Sequence, residues 1–212
     1  VDKIIHYETG TYGSDWFKTM IFIGGDTFPG SPGNDGEDLN LIVHGIMSDF
    51  NPIYIWTSKG NFNRATISGT ISQGAGFVDY SGHGFENGIG TYRPGGVYKL
   101  TYLIQYIKDL KNGYKLPIIF FDACLTARID YVLQDLLDYR VYFAFDLAAK
   151  ILQVNTSVRK PCFAWAFLTK QGGGAIATIG ATRTAFGGVD DGAGKIAIEF
   201  FQTYNTSTYL GE

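Results

Sequence analysis

The sequence predicts a doubly wound α/β fold: a mostly parallel sheet with helices on both faces, in three layers. Three observations carry that expectation. Short apolar runs, such as Ile118–Phe121 and Gly174–Ile179, have the hydrophobicity of parallel strands buried on both sides. Between such runs lie segments whose apolar residues recur at helical spacing. The two kinds alternate along the chain in the order β-α-β-α-β-α-β-α-α-β-α, which calls for crossover connections rather than hairpins.

Taken in order, Val1–His6 reads as the end of a helix. Lys18–Ile23 is the first expected strand and runs into Gly24-Gly25-Asp26. A loop rich in Gly, Pro and Asp follows from Thr27 to Asp35. Glu37–Asp49 is expected as a helix, because Leu39, Ile42, Val43 and Ile46 fall on one face. Asp35, Glu37 and Asp38 crowd its start, where the helix dipole favours carboxylates. Ile53–Trp56 is a strand and Arg64–Gln73 a short helix. The run Val78-Asp79-Tyr80-Ser81 is a strand that delivers Gly82-His83-Gly84. Val97–Leu110 is expected as the crossover helix, closed by Asn112-Gly113, and Ile118–Asp122 as the next strand.

Ile129–Gln153 is aromatic and helical in pattern, with Tyr131, Leu136, Tyr139 and Phe143 able to share a side. It is expected as an inserted helical segment within residues 128–160, packed on its own domain or on a second copy of the chain, since so apolar a stretch would not stay exposed. Pro161 opens a helix over Cys162–Lys170. Gly174–Ile179 is the last strand and Asp190–Tyr204 the last helix. The whole reads as a single domain over residues 1–212.

Composition narrows the function. Of 212 residues, 45% are hydrophobic and 17% charged, so the chain buries a core. A net charge of -3, with no basic run, argues against a nucleic-acid surface. The apolar segments are too short or interrupted to span a bilayer. Two cysteines make no disulfide framework and have no zinc-type spacing. The sequons Asn155-Thr156-Ser157 and Asn205-Thr206-Ser207 are compatible with a secreted or cell-surface protein.

The chemistry centres on His83 and Cys124, each placed just past an apolar strand. Ligands and reactive groups of open α/β sheets gather at the carboxyl ends of strands. A thiol at its ordinary pKa is mostly protonated at neutral pH and needs a base; an adjacent imidazole takes that proton and later returns it to a leaving amine. The developing oxyanion needs backbone N–H donors, for which Gly84 and Cys124 are the candidates. The alternative is that His83 caps a strand and Cys124 is a small buried hydrophobe. Cys162, at a helix start, reads as packing, and His6 and His44 as structural or solvent-facing. Asp26, Asn34, Asp35 and Glu37 are oxygen donors for a structural Ca2+, though not with EF-hand spacing. The dyad chemistry itself requires no cofactor.

Tyr80-Ser81-Gly82-His83-Gly84, followed by Glu86, Gly88 and Gly90-Thr91, resembles the histidine block of the gingipain-type cysteine peptidases. Leu116-Pro117-Ile118-Ile119-Phe120-Phe121-Asp122-Ala123-Cys124 resembles their cysteine block. Pro161-Cys162-Phe163-Ala164 and Gly174–Thr182 resemble the helix and strand that follow, and Gly24-Gly25 with Asp35-Gly36-Glu37 the first active-site loop. This resemblance covers most of the chain and places it in the wider caspase-like clan. It implies a caspase-like fold, a peptide or protein substrate, Cys124 as nucleophile and His83 as acid/base. It also implies preference for Arg or Lys before the scissile bond, read by an acidic side chain of the first loop. Asp38 is the first candidate, Glu37 the second, and Phe186 in the loop Arg183–Gly188 is an apolar wall. Two departures stand out. Residues 128–160 are longer than the expected link, and the chain looks like the catalytic part of a larger protein, in contact with a preceding subdomain.

Overall fold

A computed structural model describes residues 1–132, 159–204 and 206–207. Its main sheet is parallel and five-stranded: β2 (Asn51–Trp56), β1 (Thr19–Gly24), β3 (Phe77–Ser81), β7 (Ile118–Asp122) and β8 (Ala177–Gly180), in that spatial order. β3 lies at the centre and every one of its residues is buried, as a strand covered on both faces must be. Pro52 sits in β2, an edge strand, where a missing N–H costs no ladder bond.

Side-chain alternation along the strands divides the core in two. Ile21, Val78, Tyr80, Ile119 and Phe121 face α3 (Arg64–Gln73) and α4 (Phe163–Thr169), meeting Ile67, Ile71, Phe163 and Phe167. Met20, Phe22, Phe77, Ile118 and Phe120 face α2 (Asp35–Ile46) and α5 (Gly192–Tyr204), meeting Leu39, Val43, Ala197 and Phe201. The expected three layers are therefore present. Within α2 the buried stripe runs Leu39 and Val43 and is continued by Met47 just past its end, while Ile42 is exposed. The first helix, α1 (Asp2–Gly10), has no buried residue of its own; Lys3 ties it down by donating to the carbonyls of Leu168 and Gly173 at 2.9 and 2.8 Å.

One expected element is replaced. Val97–Leu110 is not a crossover helix: Lys99–Leu103 is a strand, β6, followed by a 3-10 segment over Ile104–Asp109. With β4 (His83–Phe85) and β5 (Gly88–Tyr92) it forms a separate antiparallel three-stranded sheet. The physical reason is alternation. Leu100 and Tyr102 turn into the core while Lys99 and Thr101 stay in water, a period of two rather than 3.6. The glycines of β5 permit close approach: at Gly90 the Lys99 side chain and the Leu100 carbonyl fill the space a Cβ would need.

From residue 133 the helix expected over 129–153 lies outside the described residues. Ile129–Val132 is not helical, and Val132 pairs with Arg159 in an isolated antiparallel bridge. Among the described residues no helix is long and apolar enough to cross a membrane.

Candidate active site

β3 and β7 are neighbours, parallel and in register, with Ser81 opposite Asp122. His83 lies two residues beyond the first and Cys124 two residues beyond the second, so equal offsets carry both to one edge of the sheet. The chain turns at Gly82, whose φ of 156° and contact with the Tyr80 hydroxyl leave no room for a side chain. Gly84 packs against the Cys124 carbonyl, and a methyl group there would collide with it. The histidine and cysteine segments thus touch through their backbones. After the cysteine, Leu125 adopts a left-handed φ of 57°, rare for a branched side chain. It is held there while its N–H bonds the Arg183 carbonyl.

His83 and Cys124 line one cleft of about 400 Å³. Asp35, Asp38 and Leu39 of α2, Ser81, Asp122 and the loop Ala185–Val189 complete its wall. His83 Nε2 lies 2.8 Å from the Thr27 carbonyl. Because a carbonyl only accepts, Nε2 carries the proton and Nδ1 is left as the basic nitrogen. Burial, seconded by the nearby Lys99 charge, holds the His83 pKa below its usual value, with the Thr27 bond opposing. The imidazole is therefore neutral at pH 7, a base ready to accept. Phe28 and Tyr92 stand edge-on to it, at 5.8 and 6.0 Å between ring centroids. The Cys124 thiol is half-buried and exchanges hydrogen bonds with Ala185, donating to its carbonyl at 3.2 Å and accepting from its N–H at 3.4 Å.

The first-loop acids divide. Asp35 and Asp38 are exposed and line the cleft. Glu37, the second candidate for reading a basic side chain, is buried and outside the lining; its carboxylate accepts from Ser58 Oγ at 2.5 Å, Ser58 N at 3.0 Å and Thr57 Oγ1 at 3.2 Å. Successive helix positions point about 100° apart, so Glu37 and Asp38 cannot share a target. Phe186 lines the cleft and is 81% exposed. The calcium candidates also part: Asp26 is buried away from the cleft wall, accepting from Gly95 N, while Asp35 is on that wall. Among the described residues no three His, Cys, Asp or Glu side chains gather to hold a metal ion. Cys162 is buried, which pushes its thiol up. His44 bonds the Tyr54 hydroxyl and His6 stacks on Tyr114.

Sequence reasoning missed the polar layer beneath the cleft. Ser81 Oγ donates to Asp122 Oδ2 at 2.8 Å, and burial pushes the Asp122 carboxyl up to about 6. Asp79 is fully buried in β3 and pushed up to about 7, by desolvation first and by the Asp122 charge, with the Asn40 bond opposing. Trp56 Nε1 donates to Asn40 Oδ1 and Asn40 Nδ2 to Asp79 Oδ2, at 3.0 and 2.8 Å. The available signal was a carboxylate inside an apolar central strand, Phe77-Val78-Asp79-Tyr80.

The fold is similar to three solved structures. The Arg-specific cysteine proteinase gingipain R is 20% identical, with a TM-score of 0.62, over 95% of this chain and 40% of that one. A complex of the pro- and mature domains of RgpB from Porphyromonas gingivalis is 21% identical, with the same TM-score and coverage. A structure described only as a protease matches 87% of this chain and 33% of its own, at 20% identity and a TM-score of 0.56. The chain therefore spans about 40% of the length of the gingipain chains it resembles. A comparison with curated proteins found no match. The family model of peptidase family C25 matches residues 1–212, and the chain accordingly belongs to that family, the gingipains.

Proposed function

We propose that this chain is the catalytic domain of a cysteine endopeptidase in which Cys124 is the nucleophile, His83 the acid/base, and a basic residue precedes the bond that is cut. The observation that carries the reading is the equal offset of His83 and Cys124 from two adjacent parallel strands, which brings a neutral imidazole and a half-buried thiol into one cleft. Burial of His83 favours a base that takes the proton during attack over a standing imidazolium–thiolate pair. The thiol proton passes to His83 Nδ1 as sulfur bonds to the substrate carbonyl carbon. The oxyanion is received by backbone N–H groups, for which Gly84 and Cys124 are the candidates. The C–N bond then breaks as the imidazolium protonates the departing amine; water, deprotonated by His83, attacks the thioester carbon, the C–S bond breaks as the proton returns from His83 to sulfur, and the acid is freed. Phe28 and Phe186, both exposed at the cleft, offer apolar contact to the substrate chain. Asp38 and Asp35 give the cleft an acidic rim suited to arginine or lysine. The gingipain R structure is of an Arg-specific proteinase, which supports the same preference.

The test is an acyloxymethyl ketone carrying arginine. Attack by the thiolate expels the carboxylate and leaves a stable thioether, which peptide mass mapping locates. Labelling of Cys124, lost in His83→Ala, is the expected result. Labelling confined to Cys162, or no labelling of the folded protein, would reject the reading.

A further inference from the structure

The small antiparallel sheet has two faces. Ile89, Leu100 and Tyr102 turn inward to the core shared with the main sheet. Alternation puts His83, Phe85, Tyr92, Lys99 and Thr101 on the other face, none of them buried. Gly90 stands directly opposite His83 in the ladder. The Lys99 stem lies across that glycine, its Cδ and Cγ 3.0 and 3.1 Å from where a Cβ would sit. Its ammonium rests 5.4 Å from the centroid of the Tyr92 ring, which itself stands edge-on to His83. Lys99 is therefore a cation fixed beside the histidine, and its charge is one of the causes that hold the His83 pKa down.

That charge has no carboxylate partner among the described residues. From Asn87 to Lys108 the chain carries Arg93, Lys99 and Lys108 and no acid, in a protein of net charge -3. Asp26 meets this hairpin but is buried, accepting from the Gly95 N–H. The far wall of the cleft has the other sign, with Asp35 and Asp38 exposed on α2. The cleft is thus bipolar, acidic on one side and basic beyond His83. The chemistry gives those sides different halves of a substrate. The residue before the scissile bond stays on Cys124. The half that leaves receives its proton from His83, so it starts at the imidazole. Extended chain advances about 7 Å in two residues, which carries it past the neighbouring strand, about 5 Å away, where the Lys99 stem lies.

We propose that the outer face of the small sheet binds the substrate chain that follows the scissile bond, and that Lys99 selects an acidic side chain at the first or second position there. The inference deepens the peptidase reading above and rests on it. The preferred substrate is then a bipolar segment, a basic residue followed by an acidic one. Lys99 acts at the protein surface, so its attraction is modest and fades with salt.

Internally quenched peptides test this. They share an arginine before the bond and carry either Glu or Lys at the first or second position after it. At low salt the wild type favours Glu over Lys by about tenfold in kcat/KM, because one exposed attraction is exchanged for one repulsion. The preference shrinks to about twofold in ~0.5 M NaCl. Lys99→Glu inverts it, and Lys99→Met brings the ratio near one. Lys99 acts on His83 whatever the peptide, so the ratio cancels that influence. The same exchange of Glu for Lys made three positions before the arginine gives a ratio that Lys99 does not move. A wild-type ratio near one overturns the proposal and leaves the peptidase reading in place. So does an unchanged ratio in Lys99→Glu, or an equal Lys99 effect on both sides of the bond. Calorimetry of the Glu peptide binding to Cys124→Ala, with and without Lys99→Glu, reads the contact without turnover. Lys99-dependent binding in a protein that never cleaves would sustain the basic face and remove the peptidase reading instead.

Discussion

Replacing Cys124 by Ala, or His83 by Ala, lowers kcat/KM for an arginine peptide by about 10⁴-fold or more while the thermal midpoint stays within about 3 °C. The size of the loss is that of removing the nucleophile or its base from a unit that acts together. The small stability change follows from position. Both side chains are only half-buried, Cys124 exchanging bonds with the Ala185 backbone and His83 with the Thr27 carbonyl. Neither fills either core cluster. The two losses are not additive: the double variant is no slower than the worse single one, because a base without a thiol has nothing to activate. Fluorogenic hydrolysis paired with circular dichroism melts measures both halves. Full activity in Cys124→Ala would end the peptidase reading.

The second large effect is on stability and comes from Asp79. Its carboxyl, ordinarily near 3.8, is pushed up to about 7 in the folded chain. Between those values the folded protein keeps a proton that the unfolded chain has released. Stability from this group is thus fully present below about 3.8, declines as pH rises, and is lost above about 7. The shift corresponds to about 4 kcal/mol. Asp122, pushed up to about 6, adds a slope of the same sign that ends sooner. Asp79→Asn keeps an acceptor for the Asn40 amide and carries no charge. The variant is therefore more stable than wild type at pH 8, by about 2–4 kcal/mol, and equal to it near pH 4. Urea unfolding at the two pH values decides this. Wild-type stability that rises between pH 4 and 7, or a variant weaker than wild type at pH 8, would count against a neutral buried Asp79.

The parallel strands were legible because a buried strand is hydrophobic on both faces and announces itself without neighbours. The strand Ile118–Asp122 begins with the apolar run Ile118–Phe121 and ends one residue beyond it. The placement of His83 and Cys124 at one edge followed from strand order. What could not be read was the small sheet. Gly88-Ile89-Gly90-Thr91-Tyr92 is mostly glycine and polar residues, and it is a strand because partners on both sides need its narrowness. Lys99–Leu103 has two inward residues, too few to separate alternation from a helical stripe. The acids of α2 were visible as a cluster, but only the helix phase sends Asp38 to the cleft and Glu37 to Ser58. Asp122 stood two residues before the cysteine. Its burial and its Ser81 partner belong to tertiary structure, where sequence spacing gives no distance.

The separate antiparallel sheet has a consequence for heat. His83 opens β4, on that sheet, while Cys124 follows β7 of the main one. β5 and β6 are anchored by Ile89, Leu100 and Tyr102 in the core they share with the main sheet. No residue of β4 is fully buried, and its side-chain joints are polar: the Tyr80 hydroxyl donating to the His83 carbonyl, His83 Nε2 on the Thr27 carbonyl, and the Glu86–Arg128 ion pair at 2.7 Å just beyond it. A strand that buries no residue and is held by a handful of bonds opens at lower free energy than the sheets it leans on. Warming should therefore silence the protein before it melts it. Turnover would fade reversibly some degrees below the circular dichroism transition, with amides of residues 83–87 exchanging ahead of those in β1, β3 and β7; a Tyr80→Phe substitution, which removes the hydroxyl bond to the His83 carbonyl, would widen that gap. Identical temperatures for inactivation and unfolding would mean that the two sheets come apart as one.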